Sequence, residues 1–69
     1  MNDRTLKLIL KYNNSAIPDN HNVVFELMSC VDKPFEYDGK MYKLNVIPMP
    51  GVHNVQLYKF FMIEEHQIM

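Results

Sequence analysis

The sequence predicts an all-β domain built on an antiparallel sheet of four or five strands, and three stretches lead to that reading. The first is Phe35–Ile47, FEYDGKMYKLNVI, in which Asp38-Gly39 joins two alternating runs. The second is Thr5–Tyr12, TLKLILKY, and the third is Val55–Ile63, VQLYKFFMI, rich in aromatic and branched residues. Alternation with a period of two places successive side chains on opposite faces of a strand.

The Phe35–Ile47 stretch carries the sharpest local signal. Asp-Gly suits a two-residue type I′ turn, because both central positions need positive φ. With the turn there, Tyr37 faces Lys40, Glu36 faces Met41, and Phe35 faces Tyr42. Phe35, Tyr37, Tyr42, Leu44 and Val46 then share one face, the apolar and aromatic one. Glu36, Met41, Lys43, Asn45 and Ile47 share a mixed face. A slip of one residue would exchange the two faces, so burial of one of them pins the register.

The remaining elements follow in chain order. In Thr5–Tyr12, alternation sets Leu6, Leu8, Leu10 and Tyr12 on one face of a half-buried strand. Asn13–Asn22, NNSAIPDNHN, is crowded with turn formers and contains Pro18, which predicts a surface connection. Val23–Val31, VVFELMSCV, reads as a strand with Val23, Phe25, Leu27 and Val31 inward. The alternative is α+β, with one helix near residues 20–31, capped by Asp19 or Asn20 and carrying Val24, Leu27, Met28 and Val31 on one stripe. Asp32-Lys33-Pro34 turns into the hairpin. Pro48–Asn54, PMPGVHN, is a connection or an edge, since proline donates nothing to a ladder. Val55–Ile63 is apolar on both faces: Val55, Leu57, Phe61 and Ile63 on one, Tyr58, Phe60 and Met62 on the other. Glu64–Gln67 forms a polar tail.

Size and composition bound the function. The 69 residues suffice for one small domain over 1–69, which buries only about 60% of its unfolded surface. A single cysteine, Cys30, rules out an internal disulfide and a cysteine-rich zinc pattern, so what remains is association with another chain or a domain that is stable alone. Seven Lys+Arg against eight Asp+Glu give no basic field for duplex nucleic acid. The apolar runs are far short of a membrane span, and no secretory signal pattern is present. One free thiol and six methionines point to a reducing cytoplasm.

No motif calls for catalysis or a cofactor. His21, His53 and His66 show no ligand-pair spacing for a metal, and read as solvated loop or tail residues. Cys30 lies in an apolar run and reads as a small buried residue rather than a nucleophile. Gly39 and Gly51 are explained by turns, so there is no phosphate-binding loop.

The architecture is therefore read as a small antiparallel meander or an SH3-like open barrel. The function is that of a non-enzymatic binding protein acting on another protein, working as a homodimer. Such short accessory factors, which bind or inhibit another protein, are used by phages and mobile elements. The interface falls to Tyr58, Phe60 and Met62, the second apolar face of the last strand. Two other classes stay open. One is a small-ligand or nucleotide-sequestering protein with its site at a dimer interface. The other is a small barrel that stacks single-stranded bases on interleaved tyrosines and lysines.

Overall fold

The computed structural model describes residues 1–65. In chain order it contains helix α1 (Asp3–Tyr12), strand β1 (Ala16–Pro18), helix α2 (Asn22–Met28), and strands β2 (Pro34–Tyr37), β3 (Lys40–Val52) and β4 (Val55–Glu64). The strands form one antiparallel sheet in the order β1-β4-β3-β2. The sheet is open, not a barrel. Strands β2, β3 and β4 make the expected meander, and β1 adds to the far side of β4. Two helices accompany the sheet, so the all-β expectation holds only for its antiparallel part. One of the helices lies where the α+β alternative put it.

The β2–β3 hairpin forms in the register expected, with Phe35 opposite Tyr42, Glu36 opposite Met41 and Tyr37 opposite Lys40. Asp38 and Gly39 have φ of 53° and 77°, as a type I′ turn requires. A second tight turn uses His53 and Asn54, at φ 52° and 66°. It joins two long strands, because β3 does not stop at Pro48. It continues through the predicted connection to Val52, with a bulge between Met49 and Val52. A methyl group on Gly51 would overlap the Val55 carbonyl oxygen, so the bulge needs glycine there. The Gln56 amide donates to the Met49 and Leu57 carbonyls, both at 2.8 Å, and holds the bulged segment together.

Thr5–Tyr12 is a helix and not the expected strand. The Asn2 side chain caps it, accepting from the Thr5 amide at 2.8 Å. Asp3 lies in the first turn and Lys11 in the last, which suits the helix dipole. Leucine and lysine are strong helix formers. The physical reason for the difference is Ile9. A strand would turn it outward with the lysines, whereas the helix buries it and brings Leu6, Leu8 and Tyr12 against the same core. Leu10 is left on the outer side.

Val23–Val31 is likewise not a strand. Helix α2 buries Val23, Val24 and Leu27, and turns Phe25 outward at 87% exposure. Its cap is neither Asp19 nor Asn20. His21 Nδ1 accepts from the Val23 amide at 3.1 Å, so this histidine has a structural partner and is not simply solvated. His21 also meets Tyr12 edge-on, 5.7 Å between centroids.

Both helices pack on one face of the sheet. The buried residues form one cluster: Ile9 from α1, Ile17 from β1, Val23, Val24 and Leu27 from α2, Phe35, Leu44 and Phe60 from the sheet. Tyr42, Val46, Tyr58 and Met62 pack around it. The hairpin face expected to be buried, Phe35 through Val46, is therefore the one the helices cover, although Tyr37 at its end stays exposed. Arg4 on α1 pairs with Glu26 on α2 at 2.6 Å, an exposed contact that contributes little beside the shared core.

The turn and the core make separate predictions. Gly39→Val forces a β-branched residue to positive φ and should destabilise the chain by more than ~1 kcal/mol. An unshifted urea midpoint would contradict that. Phe60→Ala should cost about 3–5 kcal/mol, while Phe61→Ala, one residue on and on the other face, should cost far less in the same titration.

Candidate protein-interaction surface

The two sheet faces differ because side chains alternate and, among the described residues, only one face is covered. The register pairs Lys43 with Ile63, Asn45 with Phe61, Ile47 with Lys59 and Met49 with Leu57 across β3 and β4. These residues all point away from the helices. Ile47 and Ile63 are 46% and 42% exposed, and Met49, Leu57 and Phe61 are half-buried. Met41 extends the face at one end, where its carbonyl accepts from the Glu65 amide at 2.9 Å.

Charge on this face is balanced. Lys43 pairs with Glu65 at 2.9 Å. The hydrogen bond and charge of that carboxylate hold the Lys43 ammonium above its usual range. Glu36 stands opposite Met41 on the same side, and Lys59 lies opposite Ile47. Two lysines and two glutamates, Lys43 and Lys59 against Glu36 and Glu65, leave the face with no net charge.

The residues expected at an interface lie on the other face. Tyr58, Phe60 and Met62 are on the helix-covered side, with Phe60 only 1% exposed. The expectation that they form a contact surface is thus corrected. The two-faced character of the last strand is real, but its second layer on that side is supplied by α1 and α2. The surface left over is the Leu57–Phe61–Ile63 side.

The sheet edges offer little to an incoming strand. Leu44 accepts from the Asp32 amide at 3.0 Å, so even-numbered residues of β3 aim their backbone groups away from β4. Beyond the end of β2 that edge is open. Its Val46 amide is taken by the Asn45 side chain at 3.0 Å, and Pro48 has none to offer. On the opposite edge the Met62 amide donates to the Asn13 side chain at 3.0 Å, and the Phe60 carbonyl accepts from Asn14 at 2.8 Å. In the short outer strands the outward-facing positions include Pro18 of β1 and Pro34 of β2, by alternation from the paired positions. Prolines and side-chain amides thus remove most outward donors, a known protection against edge-to-edge pairing.

Other candidate groups are not gathered into a site. Among the described residues no set of three or more His, Cys, Asp or Glu side chains converges. Cys30 is half-buried against the core and its thiol meets the Glu26 carbonyl at 3.5 Å. An open recess of about 380 Å³ lies beside it, between Met1, Asn2 and Lys33. His53 sits in the distal turn, and His66 lies outside the described residues. No helix is long and apolar enough to cross a membrane among the described residues.

Sequence reasoning missed the outer face because it gave the Tyr58, Phe60 and Met62 side to a partner and so turned Leu57, Phe61 and Ile63 inward. The signal was present in Ile47 and Phe61, which share a parity once β3 and β4 are paired.

Two predictions follow from the parity and from the edges. Phe60→Asp buries a charge in the core and should abolish folding, whereas Phe61→Asp should leave the far-UV circular dichroism unchanged. Asn45→Thr with Pro48→Thr restores two outward donors and should raise light scattering on mild warming. Scattering equal to the unmutated chain would show that the edge was not what Asn45 and Pro48 protect.

Compared with known proteins, the chain matches no protein-family model, no curated protein and no solved structure.

Proposed function

We propose that this chain is a non-enzymatic interaction protein and that its contact surface for a protein partner is the open face of β3 and β4. One observation carries the reading: an apolar face, with Ile47, Phe61 and Ile63 at its centre, is left uncovered by the described residues while most outward donors on the edges around it are removed. Exposed apolar patches of this kind mark interaction sites on small proteins. Closed edges direct the partner to side chains rather than to the backbone ladder, which sets this apart from recognition by strand addition.

The chemistry of the face favours a protein over single-stranded nucleic acid. Nucleic-acid platforms combine several stacking aromatics with a basic groove. Here one ring, Phe61, stands among balanced charges, and the tyrosines expected to stack are turned to the core side. An apolar centre with a charged rim is the composition of a protein contact.

The test is site-specific photo-crosslinking in cell extract, with a benzophenone side chain at Lys59 on the open face or at Lys7 on the outer side of α1. Protein adducts should form from Lys59 and not from Lys7. Adducts from Lys7 alone, or from neither position, overturn the assignment of this face.

A further inference from the structure

We propose that the open face is occupied by a second copy of this chain, related by a two-fold axis that runs diagonally across β3 and β4. This rests on the reading of that face as an interaction surface, and it adds the identity and geometry of the occupant.

The arrangement of side chains is the starting point. In the row Lys43–Ile63 the isoleucine is on β4, and in the row Ile47–Lys59 it is on β3. Between them lies Asn45–Phe61. The apolar residues Ile63, Phe61 and Ile47 therefore form a ridge that crosses from one strand to the other, with a lysine on each flank. The two isoleucine rows are four residues apart along the strands, about 13.6 Å, and neighbouring strands are about 4.8 Å apart. The ridge is thus inclined about 20° to the strands on these spacings.

A symmetric pair needs a surface that is complementary to itself. Three placements of an in-plane two-fold axis differ sharply. An axis across the strands sets Lys43 on the second copy's Ile47, and an axis along the strands sets Lys43 on its Ile63. Either placement buries an ammonium against an apolar side chain, which is costly. An axis along the ridge sets Ile63 on Ile63, Phe61 near Phe61 and Ile47 on Ile47, and leaves both lysines at the rim, where their long stems reach water. It crosses the strands of the two sheets at about 40°, close to the ~30° of aligned sheet packing.

Area and charge agree with that occupant. Nine residues of strand span about 30 Å, and the sheet is three strands wide at each end, about 14 Å. With side-chain relief this gives on the order of 600–800 Å² per copy, near the ~800 Å² per partner of a specific interface. The zero net charge of Glu36, Lys43, Lys59 and Glu65 means that a copy does not repel its twin. The dimer would place two sheets back to back, with helices on both outer sides.

The experiment is light scattering coupled to gel filtration on the whole chain at ~100 μM, a concentration that fills any interface of ~1 μM affinity. The expected mass is that of two 8.2 kDa chains. Ile47→Lys combined with Ile63→Lys should give the mass of one chain with unchanged far-UV circular dichroism, while Phe25→Lys on α2 should stay dimeric. With Cys30→Ala as background, Ile47→Cys should form a disulfide between copies on mild oxidation, and Lys7→Cys should not. A monomeric unmutated chain, a dimeric lysine double variant, or a disulfide through Lys7→Cys alone each overturns the proposal. A monomer that still crosslinks from Lys59 to a different protein overturns self-association while leaving the wider reading of the face intact.

Discussion

Burial of Phe60 and Leu44 beneath the two helices sets the parity of every other side chain in the long hairpin. The side-chain period of a strand is two, so one buried residue on each strand decides which neighbours are inward. Phe60 opposite Val46, and Leu44 opposite Met62, put Tyr42, Tyr58 and Met62 inside with them. The same parity forces Ile47, Phe61 and Ile63 out. Fully burying a large apolar side chain contributes about 1.5–3 kcal/mol, and none of the residues on the open face gains that much from this chain alone.

The described residues of the chain lay helices on one sheet face alone. Its helices have ten and seven residues and both are used on one side. Among the described residues the result is a two-layer domain with one apolar sheet face left exposed. Pro18, Pro34 and Pro48, with Asn13 and Asn45, deny an incoming strand most of the outward donors it would need. On the proposed reading, association would run through side chains on a defined face and away from the ladder, where any strand can add.

The elements that could be read from the residues are those governed by local chemistry. Asp38-Gly39 specifies its turn through backbone φ, and the turn with one apolar face specifies the β2–β3 register. The last strand, Val55–Glu64, is legible from its aromatic and branched residues. Thr5–Tyr12 was not legible as a helix, because Leu6, Leu8 and Leu10 alternate as well in a strand. What decides it is the burial of Ile9 with Leu6 and Tyr12, together with the Asn2 cap. Pro48–Asn54 reads as a strand breaker, yet prolines are harmless at positions whose amides would face the open edge.

The sequence by itself determined the hairpin, the last strand, that its single cysteine has no partner for a disulfide within these residues, and the fact that Val55–Ile63 must satisfy two apolar faces. These depend on contacts within a few residues or on composition. Which of those two faces meets the core was decided only by the tertiary structure, because both carry comparable apolar surface. The choice follows from where α1 and α2 pack, and their placement depends on Ile9, Val24 and Leu27 meeting Leu44 and Phe60 across long stretches of chain. No local pattern contains that pairing, so the face left exposed could be located only once the helices were in place.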